Sequence, residues 1–121
     1  MLSWTATALY RVPISAIDSA VDVAREFRRG AVRLHVLFHA AEGEVHGAAI
    51  AAELARHGHL VGPGTLYPLL HDLESAGDLV SRTVVVDGRR RRCYRITPRG
   101  RRTLAACVRA LRELADEVLG Q

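Results

Sequence analysis

The stretch GPGTLYPLLHDLESAGDLV, residues 62 to 80, decides the fold. Leu66, Leu69, Leu70 and Leu73 fall at i, i+3, i+4 and i+7, the spacing of one apolar helical stripe, and Gly77 stands where a left-handed residue ends such a helix. The helix expected over residues 62–77 opens on glycines and carries Pro68, which is tolerated in or just past the first turn because the missing N–H has no intrahelical partner there. A start of this kind makes a tight turn and leaves first-turn backbone N–H groups free to face a phosphate. With Leu66 turned to the core and about 100° between successive residues, Gly64, Pro68, His71, Asp72 and Ser75 lie opposite it, and Thr65 and Tyr67 flank. Thr65 is placed to cap the helix or bond a phosphate. Tyr67 is placed to donate to a phosphate, stack on a sugar, or pack its ring under the segment that follows.

Downstream the period changes from 3.6 to 2. Residues 79–97, LVSRTVVVDGRRRRCYRIT, are β-branched before Asp87-Gly88 and alternate after it, with Arg92, Tyr94 and Ile96 on one face and Cys93 and Arg95 on the other. Asp-Gly between two such runs signals a hairpin. Thr97 then caps a last helix with Pro98 at its first position, and Leu104, Cys107/Val108, Leu111, Leu114/Ala115 and Val118 recur along it in a heptad-like pattern. That stripe needs a partner, and a homodimer through Leu104, Val108, Leu111, Ala115 and Val118 is expected.

Upstream, a third-from-last helix is expected over Gly47 to His57, burying Ile50 and Leu54 and stopping at Gly58, with EGEVHG before it read as a turn. Residues 31–41 form a helix apolar on two sides, one with Leu34, Leu37, Phe38 and Ala41, the other with Val32, Val36, His35 and His39. Ahead of it Ser15 and Asp18 resemble a capping box, Ile17, Ala20, Val21, Ala24 and Phe27 recur at helical spacing, and Gly30 is the expected stop. Residues 1–14, with Trp4, Leu9 and Tyr10, read as an arm. Hence the fold expected is mainly α with a small β-hairpin: residues 1–29 an arm and extra helix that stabilises a dimer, 30–97 a winged helix-turn-helix, and 98–121 a dimerisation helix.

The chain has 121 residues, 49% hydrophobic and 25% charged, ordinary for one globular domain. It has no apolar run long enough to span a bilayer and no secretory signal pattern, so a cytoplasmic protein is expected. Two cysteines make no disulfide framework and match no zinc spacing. All seventeen basic residues are arginine and the net charge is +4. Guanidinium forks suit phosphates and base edges, and Arg82 with Arg89, Arg90, Arg91 and Arg92 concentrates them on the hairpin.

Three helices and a basic hairpin in this order make a winged helix-turn-helix, with the third helix in the DNA major groove and the wing on the backbone or minor groove. HGAAIAAEL, GPGTLYPLLHDLESAGDLV and DGRRRRCYRITPRGRRTL together resemble the PadR family of transcriptional regulators, whose pattern is a Gly-containing second helix, a GTLYP-type recognition helix, a basic wing and a Y-x-[IL]-T-x-x-G passage into the last helix. The resemblance spans about Gly30 to Leu119. It implies a homodimeric repressor on double-stranded DNA with a palindromic operator; release by an effector of unknown identity is expected, a small molecule being one candidate. It places DNA contacts on Thr65, Tyr67 and the wing. With the bottom-up reading, the expected DNA-contacting set is Gly64, Thr65, Tyr67, Pro68, His71, Ser75, Arg56, Arg82 and Arg89 to Arg92. Two departures stand out. Gly62 replaces the family's frequent polar cap, and Asp72, with Glu74 as a second carboxylate, stands where members often carry a base, so the wing is expected to supply much of the affinity.

Other readings stay open. His35 and His39 at i, i+4 fit a metal-responsive regulator, though no third ligand follows at matching local spacing, and no metal or cofactor is expected. Cys93 among arginines fits a redox sensor, with Cys107 as a small hydrophobe. Trp4, Tyr10, Phe27 and Phe38 are expected in the core rather than around a ligand. A protein-only dimeric adaptor would use the last helix but not the arginines. No catalytic triad, carboxylate pair or phosphate loop with lysine appears, so an enzyme is not expected.

Overall fold

The computed structural model describes residues 14–120, with side chains from residue 22 onward. Seven elements follow in order: α1 (Ile14–Glu42), β1 (Val45–His46), α2 (Gly47–Arg56), α3 (Pro63–Ser75), β2 (Leu79–Val86), β3 (Arg89–Ile96) and α4 (Pro98–Leu119). The arm with Trp4, Leu9 and Tyr10 lies outside the described residues, as do the side chains of Ser15, Ile17, Asp18, Ala20 and Val21. The chain forms two compact units, Met1–Ala31 and Val32–Gln121.

Gly30 does not stop a helix. α1 runs through it without a break, because the flanking Arg28, Arg29, Ala31 and Arg33 are sound helix formers and one interior glycine costs only about 1 kcal/mol. Phe27 and Phe38 are exposed rather than core, Phe38 to 50%. The stripe that α1 buries in the second unit is Val32, Val36, Leu37 and Ala40.

The core of that unit joins these residues to Ile50 and Leu54 of α2, to Leu66, Leu69, Leu70 and Leu73 of α3, and to Leu79 and Tyr94 of the sheet. Each large side chain so buried contributes about 1.5–3 kcal/mol before conformational entropy is set against it. All four leucines of the α3 stripe are inside, as their spacing requires. The segment read as a turn before α2 instead holds a strand: Val45 pairs with Tyr94 and His46 with Cys93, adding β1 to an antiparallel sheet of order β1-β3-β2. Two residues are too few for a periodicity to show. His46 also caps α2, its Nδ1 accepting from the Ala49 N–H at 3.2 Å.

β2 and β3 pair along their whole length, from Leu79 opposite Ile96 to Val86 opposite Arg89. The hairpin closes at Asp87 (φ 51°) and Gly88 (φ 75°), two left-handed residues that make the type I′ turn expected of Asp-Gly.

Candidate nucleic-acid interface

α3 begins earlier than its glycines imply. Gly62 is the N-cap and Pro63 the first helical residue, which sets Pro68 in the second turn, where it forgoes the bond to the Gly64 carbonyl. Thr65 and Leu66 both donate to the Gly62 carbonyl, at 3.0 and 2.9 Å. Pro63 has no N–H, so the freedom expected of several first-turn amides narrows to that of Gly64 among the described residues. Thr65 stands inside the first turn and is not the cap. A Cβ built on Gly64 would meet nothing within 4 Å, so this turn presents bare backbone to its surroundings. Gly64, Thr65, Pro68, His71, Asp72 and Ser75 are all exposed, on the face that the leucine stripe leaves outward.

Tyr67 is 53% exposed, and its ring lies across the start of α2. A Cβ on Gly47 would stand 3.0 Å from its Cε1 and 3.3 Å from its hydroxyl. The glycine of the second helix thus makes room for a half-open tyrosine beside the first turn of α3. Tyr94 is buried behind it in the sheet, and burial pushes its hydroxyl above the ordinary phenol value, against the pull of neighbouring Arg92.

The two carboxylates of α3 divide. Glu74 turns inward: its Oε2 accepts from the Ser81 N–H at 3.0 Å and from the Ser81 hydroxyl at 2.6 Å, tying the end of α3 to β2. Asp72 stays outside, 3.9 Å from the Arg33 guanidinium. The acidic burden on the outer face is therefore one partly balanced carboxylate.

The arginines divide as well. Arg82 does not stand free, since its Nε and Nη2 form a fork on Glu44 at 2.8 and 2.7 Å. Arg95 lies 4.0 Å from the same carboxylate. Hydrogen bonding to Arg82 holds the Glu44 carboxyl below its usual range and raises the guanidinium in turn. Arg56 is exposed and pairs with Glu53 at 2.9 Å. Arg89 to Arg92 are exposed at the free end of the hairpin, and among the described residues none makes an ion pair. Their strand alternation sets Arg89 and Arg91 on one face with Val84 and Val86, and Arg90 and Arg92 on the other with Thr83 and Val85. Each face of the hairpin thus presents two guanidinium groups.

Behind the wing, the passage into α4 is tightly stitched. Thr97 accepts from the Gly100 N–H at 2.9 Å and donates to the Gly77 carbonyl at 2.5 Å, while its own N–H donates to the Asp78 carbonyl. Buried Asp78 accepts from the Thr103 hydroxyl at 2.7 Å. Beyond this anchor α4 carries Leu111, Leu114, Val118 and Leu119 exposed, with Leu104, Val108 and Ala115 half-buried.

Cys93 is 8% exposed, which leaves its sulfur little access to an oxidant. His35 and His39 stack at 4.7 Å between ring centroids, and the turn after α2 brings His57 to them. Local spacing gave no hint of that third imidazole. Glu44 and Glu74 also escape sequence reasoning, because their partners Arg82 and Ser81 belong to other elements.

The profile of the "Transcriptional regulator PadR-like family" matches residues 36–106. The chain is 65% identical over 96 residues to "Transcriptional regulator Rv3488" of Mycobacterium tuberculosis, covering 79% of this chain and 90% of that protein. A PadR family transcriptional regulator from Eggerthella lenta is similar in structure with a TM-score of 0.72 at 33% identity, covering 88% of this chain and 94% of the other. A PadR family transcription regulator from Clostridium difficile R20291 shares the fold at 20% identity, with a TM-score of 0.63 over 73% of this chain and 97% of that one.

Proposed function

We propose, from the premise that the chain belongs to the PadR-like family of transcriptional regulators, that it is a homodimeric repressor on a palindromic operator. In this reading α3 enters the major groove with Gly64, Thr65, Tyr67, Pro68, His71 and Ser75, and the wing grips the flanking backbone or minor groove. α4 pairs with its symmetry mate through Leu104, Val108, Leu111, Ala115 and Val118. Residues 1–29 add to the dimer, the protein works in the cytoplasm, and an effector releases it from DNA.

The observation that carries the reading is the exposed row Arg89 to Arg92, unpaired among the described residues, at the end of a hairpin that flanks α3. Four guanidinium groups held close together repel one another and lose nothing to internal ion pairs, so a polyanion is their natural counterpart. A partner bound only through α4 would leave them without a role. Arg82 and Arg56, held by Glu44 and Glu53, contribute less than the wing tip. α3 has no basic residue of its own beyond His71, so affinity rests more on phosphates than on base edges.

The test is the affinity for a duplex from the promoter upstream of the protein's own gene, measured by fluorescence anisotropy across salt. The logarithm of affinity should fall against that of salt with a slope of about −0.9 for each phosphate engaged, several in all. Replacing Arg89 to Arg92 with alanine should flatten that slope by about two or more. A flat slope in the parent protein refutes the proposal.

A further inference from the structure

The turn between α2 and α3 brings four imidazoles together. His57 caps the C-terminus of α2, its N–H donating to the Leu54 carbonyl at 3.1 Å, and Gly58 reverses the chain at φ +87°. The His59 N–H returns to the same carbonyl at 2.8 Å. This glycine-ended cap fixes the backbone on both sides. His35 and His39, one helical turn apart on α1, complete the group. The His35 ring lies 4.8 Å from that of His57 and 5.8 Å from that of His59.

Two features set this cluster apart from a chance stack. The first is the orientation of His39. Its Nδ1 lies 3.0 Å from Glu42 Oε1, and a carboxylate only accepts, so Nδ1 is the donor and Nε2 is the nitrogen that the neutral ring offers to a metal. A ring N–H held by a carboxylate in this way is the usual arrangement behind a metal-bound histidine. The second feature is a pair of unanswered atoms. His39 Nε2 and His59 Nδ1 are buried without a hydrogen-bond partner among the described residues, whereas buried polar atoms ordinarily find one. Glu53 Oε2 stands 3.8 Å from His39 Nε2, too far for a hydrogen bond and wide enough for an ion between them.

We propose that His35, His39 and His57 bind a divalent transition-metal ion of the zinc class, clamping α1 to the turn that leads into α3. One ligand nitrogen from each lies within 4.8 Å of the others, and small ring rotations bring three imidazoles onto one ion at the usual length of about 2.0–2.1 Å. Neutral imidazoles with a nearby carboxylate suit zinc, nickel and copper rather than calcium or magnesium. Glu53, with Oε2 3.8 Å from His39 Nε2, is the carboxylate at hand for a fourth coordination position.

The full-length chain, freed of any affinity tag, is titrated with zinc chloride by calorimetry and with cobalt chloride by visible absorption. Expected is one ion per chain with a Kd of about 10 µM or tighter, and a d–d band showing nitrogen-rich coordination. His57→Ala, at an exposed position, and His39→Gln should each weaken zinc by about 10-fold or more while the thermal transition of the metal-free protein is retained. Binding weaker than about 1 mM, or equal affinity in both variants, overturns the site. Its effect on DNA rests on the regulator reading above, and these titrations, which contain no DNA, judge the metal site whatever that reading's fate.

Discussion

Replacing Gly100 with alanine should unlock the joint between the sheet and α4. A Cβ there would fall on the Asp78 carbonyl oxygen, 2.7 Å from Ile96 Cγ1 and 3.0 Å from the Asp78 carbonyl carbon. Comfortable carbon contacts are about 3.5–4.0 Å, so something must move by about 1 Å. Neither neighbour yields easily: the Asp78 backbone donates to the Leu73 carbonyl at 2.9 Å and accepts from Thr97 at 3.1 Å. The start of α4 must lift instead. Overpacking of this kind costs about 1–3 kcal/mol, and the Thr97 and Thr103 bonds that stretch with it add about 0.5–1.5 kcal/mol each. Against that, alanine gains at most about 1 kcal/mol in helix propensity. The clash wins, with a net loss of about 1–5 kcal/mol, read as a fall in Tm of about 3–20 °C at about 3–4 °C per kcal/mol. Thermal unfolding by circular dichroism at one protein concentration measures it, with Gly64→Ala as the contrast, since a Cβ there meets nothing within 4 Å. A Gly100→Ala protein as stable as the parent would refute the packing argument.

Two further outcomes are expected. Glu44→Gln removes the carboxylate that holds Arg82 and sits near Arg95, so DNA affinity should rise several-fold with a salt slope steeper by about one; an unchanged slope would show that Arg82 cannot reach phosphate. Leu111→Asp places a charge in the exposed apolar stripe of α4, and should convert the proposed homodimer to a monomer in sedimentation velocity, whereas an unaltered mass would refute pairing through this stripe.

The two acids of α3 have different surroundings. Glu74 serves as the anchor of β2 through Ser81 and never reaches the outer face. Asp72 remains outside near Arg33, where its charge disfavours a phosphate close by, in keeping with the proposal that the wing and the Gly64 turn face the DNA.

Local patterns determined much of this protein. The leucine period of α3, the Asp-Gly turn, the Thr97-Pro98 start of α4 and the run of arginines are each settled by residues within one or two turns of chain, where backbone geometry and side-chain period suffice. The family resemblance read from those motifs is upheld by the profile match over residues 36–106. α1 continues through Gly30 because its flanking residues favour helix, a local effect that outweighs one glycine. Two features were decided by tertiary structure alone. β1 exists only because β3 offers its edge to Val45 and His46. Charges and imidazoles acquire their roles across gaps that no periodicity spans: Glu44 takes Arg82 out of the free set, Glu74 turns inward, and the C-cap of α2 sets His57 beside His35 and His39. A helix or a hairpin is an affair of neighbours in sequence, whereas the pairing of a charge depends on whichever partner the folded chain sets within about 4 Å.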